Sequence, residues 1–284
     1  MVIGTKEEND ILITYKNLSI ISKKKEDIIL EAKKLTIGYT SGKKLTNVAD
    51  HISFGLSKGE LGAIVGINGI GKSTLLRTLG RVQSKLSGSV MIKNKPIESL
   101  KSDELATLVS VVLTEPIASK NLTVSQLVSL GRHPYTNWIG TLSADDQSKI
   151  LKAIEILELE NLRHNKCYEL SDGQLQKVMI ARALAQDTEI ILLDEPTTHL
   201  DLYHKVHILK LLQRIAHDTN KVVLYTTHEI DLAIQLCDKI FIMNKANNNF
   251  GAPCELIESK SFEDLFPKDT ITFNPESGSY KINK

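Results

Sequence analysis

The sequence predicts an α/β fold with a mostly parallel sheet covered on both faces, and three observations carry that expectation. Apolar runs at 61–65, 108–113, 190–193, 222–225 and 240–243 read as buried strands. Helical patterns separate most of them, as the crossovers of a parallel sheet require. The first run also opens into Gly66-Ile-Asn-Gly-Ile-Gly-Lys-Ser-Thr74, a phosphate-binding loop of the form G-x-x-x-x-G-K-[S/T]. Leu75, Leu76 and Leu79 follow it on one helical face, so the loop sits between strand and helix.

Residues 1–30 alternate short apolar and charged stretches without a motif and are expected to form an N-terminal extension. From about Glu31 to Leu56, β-prone segments broken by Gly38, Gly42 and Gly55 predict a small antiparallel sheet. A strand near Ser89–Lys93 ends in a hairpin turn at Lys93 to Lys95, and Leu108–Leu113 reads as a further buried strand. Between about Asn121 and Tyr168 the pattern turns helical. Thr123 and Gln126 form a capping-box pair ahead of Leu127, Val128 and Leu130, and Ile150, Leu151, Ile154 and Leu157 form an amphipathic stripe. The organisation expected is a domain over 31–245, a helical subdomain inserted at about 116–169, and a C-terminal extension over 246–284.

Composition bounds the function. The 284 residues can bury a large core, and 42% hydrophobic with 24% charged residues is ordinary for a soluble globular protein. A net charge of +1 argues against a nucleic-acid partner held by a broad basic field. Cys167, Cys237 and Cys254 show no C-x-x-C spacing and read as reduced thiols. No apolar run approaches 18 residues, and no signal-peptide core is expected, so service to a membrane would go through a partner. His199, His204 and His207 read as surface histidines rather than metal ligands.

The chemistry concentrates in three segments. In the phosphate loop, Gly66, Gly69 and Gly71 let consecutive N–H groups converge on an anion, Lys72 supplies a charge at the β- and γ-phosphates, and Ser73 is placed to ligate Mg²⁺. The run Ile190–Leu193 ends in Asp194-Glu195, two carboxylates at the edge where open α/β sheets bind ligands. Asp194 would hold the hydrated metal and Glu195 would polarise the attacking water. Third, Leu170-Ser171-Asp172-Gly173-Gln174 opens a helix. Its Ser171/Gln174 capping pair reads both as an ordinary helix start and, twenty residues before the acidic strand, as an anion site.

With these segments in this order, the chain resembles the nucleotide-binding subunit of an ABC transporter over about Glu31 to Lys245. Gly66–Thr74 resembles the Walker A motif, which implies nucleotide contacts from Asn68 and Thr74 as well. Leu170–Gln174 resembles the family signature, and Ile190–Glu195 resembles Walker B. Thr198-His199-Leu200-Asp201 is similar to the D-loop, His228 to the switch histidine, and Tyr39 to the aromatic residue that stacks on adenine.

What the resemblance implies is a P-loop ATPase using ATP and Mg²⁺. Lys72, Glu195 and His228 would be catalytic, and Ser171, Gly173, Gln174 and Asp201 would complete a nucleotide site in a head-to-tail homodimer. Ser73, Asp194 and Glu115 would face the metal. Two positions depart from the family pattern. Asp172 stands where the signature usually has glycine, and Thr114-Glu115-Pro116 stands where the Q-loop glutamine is usual. The segment Leu122 to Tyr135, with its Gly-Arg-His-Pro-Tyr, is similar to importers of iron–siderophore, haem and cobalamin complexes.

The function implied is an ATPase peripheral to the cytoplasmic face of the inner membrane. It would drive separate permease subunits and, through them, serve a substrate-binding protein. A soluble ABC-type ATPase, or a regulatory cassette with weak turnover, stands as the alternative.

Overall fold

A computed structural model describes residues 28–42, 44–115, 120–245, 247–266 and 271–282. The expected extension over 1–30 lies outside them up to residue 27. Its last residues already belong to strand β1 (Ile28–Ser41), which pairs antiparallel with β2 (Lys44–Ser57). Gly38 and Gly55 therefore do not break this region into short strands. Both sit within long paired strands, and only Gly42, at φ 58, takes the turn. Gly38 is needed for close approach, since a Cβ there would lie 2.0 Å from the Thr46 carbonyl oxygen.

The central sheet contains β3 (Leu61–Val65), β6 (Val109–Val112), β7 (Ile190–Leu193), β8 (Val222–Thr227), β9 (Lys239–Ile242) and β10 (Asn249–Gly251). Its order is β10-β9-β3-β8-β7-β6. Only the β9–β10 pair is antiparallel, so the sheet reaches past Lys245, the edge expected for the domain. Beside it, β1 also pairs with β4 (Ser87–Ile92), which pairs with the two-residue β5 (Lys95–Pro96) through Lys93 and Asn94, both at positive φ. This is the hairpin turn expected there. Strands β11 (Ile271–Asn274) and β12 (Ser279–Ile282) form a separate ribbon.

Why the central strands are apolar without alternation follows from where their side chains go. Leu61, Ala63, Val65, Ile191, Leu193, Val223 and Tyr225 face one core, shared with helices Val124–Ser129, Ala144–Ile156, Asp172–Ala185 and Leu202–Thr219. Ile64, Ile190, Leu192, Val222, Leu224 and Phe241 face another, shared with the antiparallel sheet and helix Lys72–Leu79. Both faces of the sheet are dry, so both registers of each strand are hydrophobic.

In the helical block the Thr123/Gln126 capping box forms. Ile150, Ile154 and Leu157 are buried, but Leu151 is exposed, because one turn offers the core too narrow a stripe to take both neighbours. No helix among the described residues is long and apolar enough to cross a membrane.

Candidate functional site

Parallel strands β3, β7 and β8 end at one edge of the sheet, and their following residues meet there. After β3 the chain turns through Gly69 and Gly71, at φ 76 and φ 115. A Cβ at Gly71 would lie 2.3 Å from a Val48 methyl, so both conformation and space require glycine there. The loop wraps onto the ammonium of Lys72, which donates to the carbonyls of Gly66 (3.0 Å) and Ile67 (3.3 Å) and lies 3.9 Å from Glu195. Burial pushes the Lys72 ammonium below the usual lysine range, opposed by the carboxylates of Glu195 and Asp194.

Asp194 is buried at the end of β7. Its Oδ1 accepts from the Ser73 hydroxyl (2.9 Å) and from the Thr226 hydroxyl (2.7 Å), while its N–H donates to the Val112 carbonyl (2.8 Å). Its other oxygen, Oδ2, is buried without a hydrogen-bond partner. A carboxylate oxygen left open beside a serine hydroxyl is the hard, oxygen-donor set that suits Mg²⁺, so the residues present fit that ion.

Glu195 follows at φ 45, an uncommon conformation for a residue with a side chain. Its N–H donates to Thr226 Oγ1 (2.8 Å), its Oε2 accepts from the Thr198 hydroxyl (3.0 Å), and His228 Nδ1 stands 3.9 Å away. An open cavity of about 500 Å³ is lined by Asn68, Gly69, Gly71, Lys72, Ser73, Thr74, Glu195, Thr198, His228 and Tyr39. The Tyr39 hydroxyl and Thr74 Oγ1 are 2.6 Å apart, and the exposed ring stands at the cavity rim. A single chain thus brings most of the expected residues to one cavity.

The others lie elsewhere. Ser171, Gly173 and Gln174 border a separate cavity of about 300 Å³ together with Lys177, Tyr203, His204 and His207. Ser171 and Gln174 close the expected capping box at the helix start. Asp201 caps helix Leu202–Thr219, accepting from the His204 N–H at 2.9 Å, and its carboxylate also meets His204 Nδ1 at 2.9 Å. His207 Nε2 lies 3.3 Å from Glu158. Glu115, placed by the resemblance at the metal, instead forms an ion pair with Arg77 at 2.9 Å.

The sequence reading did not single out Thr226, which holds Asp194 and Glu195 together, or Arg77. Two adjacent threonines ending a buried strand were the signal for the first. A basic residue one helical turn beyond Ser73 was the signal for the second.

A family model described as ABC transporter matches residues 49–198. The petrobactin import ATP-binding protein FpuD of Bacillus anthracis is 35% identical over 238 residues, covering 84% of this chain and 86% of that protein. The iron(3+)-hydroxamate import ATP-binding protein FhuC of Bacillus subtilis is 34% identical over 216 residues, covering 76% and 79%. Among solved structures, the dimeric ATP-binding cassette MJ0796 in a post-hydrolysis state bound to ADP and Pi aligns with a TM-score of 0.67. It is 28% identical and covers 78% of this chain and 98% of that one.

Proposed function

Because the chain belongs to the ABC transporter family, as one of its ATP-hydrolysing subunits, we propose that it powers uptake of a ferric siderophore or a related metal chelate through a separate membrane permease. The observation that carries the import reading is the identity of about a third to petrobactin and iron(3+)-hydroxamate import proteins across most of the chain.

The cavity supports the hydrolytic part of that reading. Lys72, already poised on the loop carbonyls, would exchange a carbonyl for a β- or γ-phosphate oxygen. Ser73 and Asp194 would hold Mg²⁺, which supplies charge neutralisation across the β- and γ-phosphates. Glu195 would orient and polarise the attacking water, its carboxylate steadied by Thr198, with His228 beside it. Tyr39 would stack on the base and Asn68, Gly69, Gly71 and Thr74 would line the phosphates.

Ser171, Gly173, Gln174 and Asp201 would act on the nucleotide of a second copy in a head-to-tail homodimer. Gly173 supports this. A Cβ there would meet its own chain only at an ordinary 3.5 Å, so the fold of one copy does not need glycine at that point. A bare backbone suits an approaching phosphate instead. The assembly would sit peripherally on the cytoplasmic face of the inner membrane, docked against the permease subunits that carry the chelate across.

The test is transport. Cells lacking this chain should lose energy-dependent uptake of a ferric siderophore, recover it with the wild-type chain, and not recover it with Glu195→Gln. Uptake restored equally by Glu195→Gln would overturn the proposal.

A further inference from the structure

Arg77 lies on helix Lys72–Leu79, four residues after Ser73, so the two side chains share a face about one turn apart. Glu115 comes from a different segment. It emerges just past β6, whose Val112 carbonyl accepts the Asp194 N–H, so about 10 Å of chain separates it from the Asp194 backbone. The Arg77 guanidinium donates to Glu115 Oε1 at 2.9 Å. Both side chains reach solvent, Glu115 at 64% and Arg77 at 33% exposure.

We propose that Arg77 is a positioning residue that holds the Glu115 carboxylate as its charge partner until Mg²⁺ and nucleotide arrive together, and then yields it. The pair thereby sets how steeply nucleotide binding depends on Mg²⁺. This rests on Ser73 and Asp194 forming the metal side of the site.

The physics favours exchange over a permanent bond. An uncompensated carboxylate near ATP phosphates repels them, so a chain carrying glutamate here needs a cation to offset it while the metal is absent. A solvent-exposed ion pair is weak and screened, so it can be surrendered. A small divalent cation competes well for a carboxylate oxygen.

The experiment measures ATP affinity, not turnover, in EDTA and across a Mg²⁺ titration. It uses the wild type, Arg77→Ala, Arg77→Lys, Glu115→Gln and the double variant Arg77→Ala/Glu115→Gln. Arg77→Ala should weaken metal-free ATP binding by about two- to fivefold, the scale of an exposed pair, and lower the Mg²⁺ concentration for half-maximal binding by a similar factor. Arg77→Lys should restore most of both, since an ammonium still neutralises the carboxylate. In the Glu115→Gln background, Arg77→Ala should change neither.

Equal effects of Arg77→Ala in both backgrounds would mean that Arg77 acts as an independent charge and would overturn the pairing. A different failure marks the underlying reading. If Asp194→Asn leaves the wild-type Mg²⁺ dependence unchanged, the metal does not sit at Ser73 and Asp194, and the exchange falls with it.

Discussion

Thr226 and Asp194 are joined by a buried hydrogen bond of 2.7 Å, and the same threonine oxygen accepts the N–H of Glu195 at 2.8 Å. One hydroxyl therefore fixes the carboxylate of the first acid and the backbone of the second. It reaches them from the neighbouring strand, because β7 and β8 run parallel in register, with Leu193 opposite Tyr225. Outer partners of this kind orient the groups that meet metal and water.

Thr226→Val keeps the shape and removes both bonds. The Glu195 N–H then loses its acceptor and Asp194 loses a donor, which should cost about 1–3 kcal/mol of stability. Turnover should fall about tenfold or more, with Mg²⁺ affinity weakened. Thr226→Ser should recover most of both. Steady-state ATPase rates across a Mg²⁺ titration check this, and unchanged rates in the valine variant would show that the hydroxyl does not position the acids.

Lys72→Met tests what burial of the ammonium is for. Burial disfavours the Lys72 charge in the folded protein, so at neutral pH, where the unfolded lysine is fully protonated, the group opposes folding. An apolar side chain of similar length relieves that cost. The nucleotide-free variant should melt no lower than the wild type, while added ATP and Mg²⁺ should no longer raise its melting temperature. Thermal melts with and without nucleotide measure both effects. A variant still stabilised by ATP would remove Lys72 from the phosphates.

Much of this site was legible because its strands are buried on both faces. Leu61–Val65 and Ile190–Leu193 are continuous apolar runs whose ends coincide with the observed strands. Anything that follows such a strand must emerge at the sheet edge, which puts the phosphate loop beside Asp194 and Glu195. Helix Ser102–Leu108 was not legible, since it buries only Leu105 and carries no stripe. Nor was the length of the β1–β2 hairpin, where Gly38 looks like a break but serves the close approach of its partner strand. The ion pair between Arg77 and Glu115 was not legible either, although each position could be noticed alone. Their pairing depends on β6 lying beside β7 in the sheet, a tertiary fact.

Glu195→Gln keeps the size of the side chain and the acceptor for Thr198, but removes the charge that polarises water. Turnover should drop by at least about a hundredfold while ATP binding survives. If Ser171 and Gly173 complete the site of a second copy, this variant should also accumulate as a dimer with ATP and Mg²⁺. Size-exclusion chromatography with light scattering reads the mass directly against the 31.6 kDa of one chain. A monomer under those conditions would count against the head-to-tail arrangement.

Arg132 offers a prediction about stability and pH. It is buried, donates to Asp146 Oδ1 at 2.8 Å and to the Ala185 carbonyl at 2.9 Å, and lies 3.9 Å from the centre of the Tyr135 ring. The pair thus ties the Gly-Arg-His-Pro-Tyr turn to helix Ala144–Ile156 and to the end of the helix that Ser171 caps. Asp146 is held at about 2 by the Ser143 hydroxyl first, then the Ser143 N–H and Arg132. Arg132→Ala should cost about 3–5 kcal/mol, because it strips a buried carboxylate of its cation. Arg132→Lys should restore little, since an ammonium cannot reproduce the two directed bonds and the ring contact. The carboxylate of Asp146 is easier to ionise in the folded than in the unfolded chain. Its stabilising contribution is therefore complete above pH 4 and is lost as pH falls from about 4 towards 2. The stability difference between wild type and Asp146→Asn, measured by urea unfolding, should shrink across that window. A difference that stays constant from pH 5 down to pH 2 would mean that Asp146 does not carry the charge that holds this turn.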